Sequence, residues 1–103
     1  MSAYVALLLV HLRFPYAQSL KAKRKELQSV KAQLRGRHGL TVAEVEHHDV
    51  WQRSTLAAAL TGGSLATLEA TTDGIERWLE SRFPENVRIE RIVSSFDEVG
   101  EIR

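Results

Sequence analysis

Three patterns of apolar residues divide the first half of the chain. Residues 4–14 are nearly all apolar and rich in branched side chains, and Pro15 closes the run, which predicts a buried central strand. Ser19 suits a helix N-cap, and apolar residues then recur at helical spacing until the glycine-containing residues 36–39, which predicts an amphipathic helix. Residues 40–46 alternate in the manner of a second strand.

The second half of the chain repeats the order strand, helix, strand. Residues 54–61 alternate again, and a turn with two glycines and a serine leads into apolar residues at helical spacing over residues 65–83. Residues 87–96 form the last predicted strand. Its apolar phase slips between Ile89 and Ile92, which predicts a bulge or fraying there.

The order β-α-β-β-α-β over residues 1–103 predicts a single α+β domain, a ferredoxin-like sandwich with a four-stranded antiparallel sheet and two helices on one face. Even-numbered residues of the first strand are apolar throughout, so we expect them to meet the helices. The opposite sheet face would be too apolar to be left wholly in water, since it would show Leu7, Leu9, His11, Arg13, Thr55, Ala57 and Ala59. A homodimer or another partner is expected to cover it.

The absence of cysteine excludes disulfides, thiolate metal sites and thiol nucleophiles, and it favours a reducing compartment. We therefore expect a cytoplasmic protein. The apolar run over residues 3–10 is too short to span a bilayer, and no basic segment precedes it as in a signal peptide. No membrane association is expected.

The formal net charge of +1 hides an uneven distribution. Residues 1–39 hold eight basic side chains and one acidic one, whereas the other 64 residues hold six basic and twelve acidic ones. Such a division favours a positive surface patch that meets a polyanion or an acidic protein face. The alternative is that the two halves neutralise each other across the fold, and the sequence leaves both open.

The first predicted helix carries most of this positive charge. Five basic residues share one flank beside the apolar stripe, and such a ridge suits phosphates: Lys21, Arg24, Lys25, Lys31 and Arg35. An ordinary solvated helix face is the alternative. Lys23 instead lies among the apolar positions, where we expect its ammonium group to extend to solvent or, less often, to find an anionic partner. All six side chains are candidate phosphate contacts.

Residues 47–53 form a predicted loop with two imidazoles, a carboxylate, an indole and a guanidinium group. Trp51 has the chemistry to stack a base, and Arg53 to hold a phosphate or carboxylate. The alternative, slightly favoured, is that Trp51 packs into the end of the sandwich while Asp49 pairs with Arg53. Adjacent His47 and His48 make a poor chelating pair in an extended chain, so we expect no metal.

Catalytic templates do not match. The chain contains no nucleophile elbow, phosphate loop, zinc-protease motif or dinucleotide glycine fingerprint. Acylphosphatases share the predicted fold, but residues 15–18 lack the glycine of their anion cradle. RNA-recognition motifs share the topology, but Ala57 and Ala59 offer no stacking platform. We expect a non-enzymatic protein without a cofactor.

Two motifs are similar to those of a known family. Ser19-Leu20-Lys21-Ala22-Lys23-Arg24 and Asp49-Val50-Trp51-Gln52-Arg53, with Ala43-Glu44-Val45 between them, resemble the YlxP-like family of small bacterial proteins of unknown function. The resemblance spans nearly the whole chain, and His47-His48 departs from it. It implies a ferredoxin-like fold and a bacterial cytoplasmic protein, often encoded among translation-initiation and ribosome-maturation genes.

The leading hypothesis is a binding module for RNA or a ribosomal subunit, in which the basic helix contacts phosphates and Trp51 with Arg53 forms an adjacent contact. The alternative is a homo-oligomeric module that binds a small anionic ligand or a protein through residues 47–53 and the open sheet face.

Overall fold

A computed structural model describes residues 1–101. The elements confirm the predicted βαββαβ order and add a short helix at the end: β1 Tyr4–Arg13, α1 Leu20–His38, β2 Thr41–Glu46, β3 Arg53–Gly62, α2 Leu65–Arg82, β4 Val87–Ser95 and α3 Phe96–Gly100. The sheet has the order β2-β3-β1-β4 with every neighbouring pair antiparallel, which is the ferredoxin-like arrangement.

Serine and glycine set the ends of the helices as the sequence indicates. Ser19 caps α1 by accepting a hydrogen bond from the Ala22 backbone N–H, and Ser64 caps α2 through Thr67 in the same way. Gly39 ends α1 with φ of 70°, a left-handed conformation that glycine adopts at little cost.

The core lies between the helices and one face of the sheet. The even-numbered residues of β1 face this core, as predicted, and all of them except the half-buried Tyr4 are buried. The strand packs with Leu27, Val30 and Leu34 of α1 and with Ile75 and Leu79 of α2. The odd-numbered residues lie on the other face, called here the outer sheet face. No helix within residues 1–101 is long and apolar enough to cross a membrane.

The bulge predicted in β4 is wrong, because β4 pairs with β1 in unbroken register from Val87 to Ser95. The apolar phase only appeared to slip. Arg91 occupies a position facing the helices, opposite Leu8, and its guanidinium group contacts Asp73 and Glu76 of α2 at 2.6 Å each. An internal ion pair therefore replaces an apolar contact.

The irregularity in the sheet lies in β2 instead, between Glu44 and Glu46. Glu44 pairs with Leu56 and Glu46 with Thr55, which are consecutive residues and so face opposite sides of β3. The extra residue, Val45, thus leaves Glu44 on the helix side of the sheet, where the regular alternation after Val42 places it, and turns Glu46 to the outer face.

Candidate functional site

The basic flank of α1, defined as Lys21, Arg24, Lys25, Lys31 and Arg35, lies on the helix side of the sheet. Arg35 Nη2 donates to the Val42 carbonyl at 2.8 Å, so the flank runs beside β2, an edge strand. Lys31 is half-buried and the other four are exposed. The flank extends about 21 Å along the helix, from a rise of about 1.5 Å per residue.

Within residues 1–101, acidic residues from the rest of the chain form no salt bridges with the basic flank of α1. Of the eight basic residues in the first 39, only Lys23 forms a salt bridge in the part of the chain that the structure describes. The acidic residues of α2 that pair do so with Arg91. The patch alternative raised by the charge distribution therefore describes the surface better than mutual neutralisation does.

Lys23 is the exception, and the expectation that it extends to solvent is wrong. Its side chain is 0% exposed, and Nζ lies 3.2 Å from Glu44 Oε2. Nζ also donates to the His47 carbonyl at 2.5 Å and the His48 carbonyl at 3.4 Å. Glu44, on the helix side of β2, supplies the carboxylate that makes this burial tolerable, so Lys23 is a structural residue and not a surface contact.

Glu44 completes a small buried network. Ser54 of β3 donates to Glu44 Oε2 at 2.5 Å, on the same oxygen that Lys23 contacts. Burial by itself would raise the pKa of Glu44, but the hydrogen bonds from Ser54 and Lys23 outweigh it and hold the pKa below its usual value. The carboxylate is therefore stabilised in its charged form.

Residues 47–52 form a turn that is fastened to the start of α1. Lys23 binds the carbonyls of His47 and His48, and Gln52 Nε2 lies 3.3 Å from the carbonyls of both Pro15 and Ala17. Trp51 nevertheless remains 52% exposed, so the favoured prediction that it packs into the end of the sandwich is wrong. The turn is fixed while its indole stays accessible.

Arg53 is separated from the basic flank of α1. It stands directly opposite Arg13 on the outer sheet face, and its Nη2 donates to His47 Nε2 at 3.3 Å. The predicted Asp49–Arg53 pair does not form. The predicted site residues are thus separated by the sheet. The α1 flank, with the nearby turn that holds Trp51, lies on the helix side, and Arg53 lies on the outer face.

Arg53 belongs to a cleft at the end of the outer sheet face, called here the arginine cleft. Its volume is about 310 Å³. Three arginines and two histidines from four separate segments line it: Arg13, Arg53, Arg88, His11 and His47. His11 and Arg13 were predicted to lie on the outer sheet face, but no site was predicted there, because only the strand register brings them beside Arg53 and Arg88.

A chain of side-chain contacts crosses the outer face next to this cleft. His11 Nε2 donates to Glu90 Oε2 at 2.6 Å, and His11 Nδ1 contacts Thr55 Oγ1 at 3.1 Å. The hydrogen bond from His11 holds the pKa of Glu90 below its usual value. The order hydroxyl, imidazole, carboxylate is that of hydrolase triads, but Thr55 is 2% exposed, which leaves its hydroxyl little access to a substrate.

A metal centre has no support in the described ranges. Within residues 1–101, no three His, Asp or Glu side chains lie close enough together to hold an ion. His48 contacts the Glu44 carbonyl and His47 contacts Arg53, so the two adjacent imidazoles have different partners.

Comparisons with known proteins give a family model and several structural likenesses. The model described as "Protein of unknown function (DUF503)" matches residues 5–92. A search of curated proteins finds no match. The de novo designed protein Foldit4 is 12% identical, with 90% of this chain and 97% of that chain covered and a TM-score of 0.55.

Two further solved structures are similar at lower scores. 30S ribosomal protein S6 from Thermotoga maritima is 13% identical, with 97% of this chain and 95% of that chain covered and a TM-score of 0.49. The de novo designed protein LFR1 1, with a ferredoxin fold, is 13% identical, with coverage of 89% and 85% and a TM-score of 0.44. All of these likenesses concern the fold alone.

Proposed function

The chain belongs to the DUF503 family, and we propose that within this family it is a YlxP-like, non-enzymatic module that binds structured RNA, free or in a ribosomal subunit. It would act in the bacterial cytoplasm, in translation or ribosome maturation. The observation that carries the proposal is the basic flank of α1, whose side chains are exposed apart from the half-buried Lys31 and make no salt bridge within residues 1–101.

The dimensions of this flank suit a nucleic-acid backbone. Its length of about 21 Å along the helix axis is enough to follow several successive phosphates of one strand. Basic side chains that form no salt bridge are available to phosphates, and neutralising phosphates releases condensed counterions, which drives binding without sequence preference. The flank therefore favours a structured polyanion over a compact ligand.

Trp51 extends this surface at the start of the helix. Its turn is tied to Lys23 and to the carbonyls of the β1–α1 connection, so the indole is presented from a fixed backbone. An indole that is half exposed can stack an unpaired base, and base stacking tolerates any sequence. A loop or bulge next to a helical segment is the form of RNA that offers both contacts.

The salt dependence of RNA affinity tests the proposal. If about four to six phosphates are neutralised, the logarithm of the association constant should fall linearly and steeply with the logarithm of salt concentration. Lys21→Ala and Arg24→Ala should each weaken binding to all RNA sequences alike and flatten the slope by somewhat less than one unit. Arg77→Ala, an exposed arginine of α2, is the matched control and should change neither quantity.

Arg35 is a poorer test residue than the charge pattern suggested. Its guanidinium group satisfies the Val42 carbonyl on the edge strand, so Arg35→Ala should lower stability as well as affinity. Absence of RNA or ribosomal-subunit binding by the wild-type protein, measured at low salt and by cosedimentation, would show that the flank is only a solvated helix face. The alternative, binding of a small anion or a protein through residues 47–53 and the outer sheet face, would then take its place.

A further inference from the structure

The arginine cleft lies on the opposite side of the sheet from α1, so it is not part of the surface proposed above. We propose that this cleft binds the dianionic phosphate group of a phosphomonoester. The group belongs either to a small phosphorylated molecule or to the 5′ end of an RNA strand, and the experiment below separates these sources. The inference does not depend on RNA binding by the basic flank of α1.

Two like charges lie side by side at the arginine cleft. Arg13 and Arg53 are direct partners in the antiparallel register of β1 and β3, on the same face of the sheet. Like charges in directly opposite positions destabilise a sheet. Neither guanidinium group forms a salt bridge with a carboxylate in the described residues. A bound oxyanion would remove this repulsion.

The arginines of the cleft differ in whether they have a carboxylate partner. Glu90 is held by His11 at 2.6 Å and by Arg88 at 3.7 Å, so Arg88 is partly neutralised. Glu46 lies 3.7 Å from His47. Glu85 also lines the cleft, but it forms no salt bridge with an arginine within residues 1–101. Arg13 and Arg53 are therefore the two cleft arginines without a carboxylate partner in that range, and together they match the two charges of a phosphomonoester dianion. The arginine fork also fits phosphate oxygens bidentately.

The backbone of the cleft walls adopts an unfavourable conformation at two residues. Among residues 1–101, the non-glycine residues with positive φ are His47, at 65°, and Glu85, at 64°. Both line the arginine cleft, although they lie in different turns. This conformation is unfavourable for residues with a Cβ atom, and residues held in it cluster at binding sites. Two turns in this conformation meet at one cleft.

The size of the cleft fits a group rather than an isolated ion. Its volume of about 310 Å³ is at the small end of the range for ligand pockets. A phosphate with an attached sugar-sized group fits such a volume.

The test measures phosphate binding by the full chain at constant ionic strength. Inorganic phosphate is titrated by calorimetry, and two RNA oligonucleotides of identical sequence, one with a 5′-phosphate and one with a 5′-hydroxyl, are compared. Arg13→Gln and Arg53→Gln should each weaken phosphate binding roughly tenfold, because each loses charged hydrogen bonds. Arg77→Gln on α2 is the matched control and should bind as the wild type does.

Thermal unfolding of the same variants shows whether a loss of phosphate binding comes from a loss of folding. Because Arg13 and Arg53 repel each other, both variants should unfold at the same temperature as the wild type or higher. Lys21→Ala and Arg24→Ala on α1 should leave the binding of inorganic phosphate unchanged even where they weaken RNA binding. The phosphate titrations can therefore be interpreted even if the basic flank of α1 does not bind RNA.

A preference for the 5′-phosphorylated RNA that disappears in the Arg13 and Arg53 variants supports the proposal and identifies an RNA end as the source. Equal affinity for the two oligonucleotides, with phosphate binding that the same variants weaken, supports it and identifies a small phosphorylated molecule. No saturable phosphate binding together with no 5′-phosphate preference overturns the proposal. Phosphate binding that survives unchanged in both variants overturns it as well.

Discussion

Lys23 lies among the apolar residues of α1, yet three acceptors surround its ammonium group. They are the Glu44 carboxylate and the carbonyls of His47 and His48. A helical wheel shows that Lys23 falls on the buried stripe, but it cannot show that Glu44 of β2 faces the helices at the same point. The outcome depended on a partner 21 residues away, and for that reason the sequence favoured the wrong alternative.

Removing the Lys23 ammonium group should strongly destabilise the fold. Lys23→Met keeps most of the side-chain volume but leaves two turn carbonyls without their donor and Glu44 without its cationic partner, although Ser54 still donates to Glu44. Breaking a buried pair in this way costs about 3 to 5 kcal/mol. Lys25→Met, at an exposed position of the same helix, should change stability by less than about 0.5 kcal/mol. Urea unfolding of the two variants measures the difference. Equal midpoints would mean that the buried network contributes nothing.

The Glu44 carboxylate should make stability depend on pH in the acidic range. Its pKa is lowered in the folded state, so folding favours the charged form. The resulting stabilisation is fully present above the ordinary value of 4.5 and is lost as pH falls through the lower, folded-state pKa. Glu44→Gln removes this titration.

The comparison of pH profiles isolates this carboxylate from others. Glu90 also has a lowered pKa, and it contributes equally to the wild type and to Glu44→Gln. The wild type should therefore lose more stability than the variant between about pH 5 and pH 3, when both are followed by urea unfolding. Parallel profiles for the two proteins would contradict the assignment.

At the scale of elements, the regular strands and helices were predictable because local signals and burial agree. The serine caps, the glycine end of α1 and the even-numbered apolar face of β1 all point to the same structure. The errors come from side chains satisfied by distant partners. Arg91 mimics a break in the pattern of β4, although acidic residues of α2 make its inward position favourable.

The final helix, α3, was missed although its signal is present. Ser95 accepts a hydrogen bond from the Glu98 backbone, and the Glu98 side chain accepts one from the Ser95 backbone, which is a capping box. The apolar residue Phe96 was instead assigned to the preceding strand. A five-residue helix offers too few apolar positions for periodicity to reveal it.

The turn over residues 47–52 gives a prediction for Trp51. Because the indole is 52% exposed, Trp51→Ala should cost less than about 1.5 kcal/mol of stability, well below the 3 to 5 kcal/mol of a core aromatic. RNA affinity should fall by about 1 to 3 kcal/mol if the indole stacks a base. Urea midpoints and RNA titrations of the same variant give both quantities.

Trp78 provides the matched control for this experiment. It is half-buried on α2, packs against the core and lies 5.7 Å from the His38 ring, measured between centroids. Trp78→Ala should lose more stability than Trp51→Ala and leave RNA affinity unchanged. If Trp51→Ala keeps full affinity, the indole is not a contact residue and the proposed RNA surface is limited to α1.

The sequence showed an excess of basic residues in residues 1–39 but not where on the surface the basic residues of the chain lie. The arginine cleft and the basic flank of α1 lie on opposite sides of the sheet, and no linear pattern of charges encodes that separation. It follows from strand parity, because the odd-numbered Arg13 and Arg53 must face away from the helices that cover the even-numbered residues.

The outer sheet face is charged at one end of the strands and apolar at the other. The arginine cleft occupies the end where β1 finishes, whereas the opposite end is apolar. Leu7 is 42% exposed and Ile92, its partner on β4, is 62% exposed. Phe96 and Val99 of α3 continue this apolar surface, beside a groove of about 220 Å³. A contiguous apolar surface of this kind is uncommon on a monomer.

We predict that a second copy of the chain covers the apolar end and forms a homodimer, because twofold pairing of one patch with itself is the commonest way to bury such a surface. Ile92→Arg places a charge in the middle of the patch and should shift the protein toward monomer. Leu65→Arg is the matched control, since Leu65 is also exposed but lies at the start of α2. Light scattering at micromolar to high micromolar concentration measures the mass of each protein, and both variants should retain the wild-type far-UV circular dichroism. A wild type that stays monomeric over this range would rule out the homodimer and assign the apolar end to a different protein.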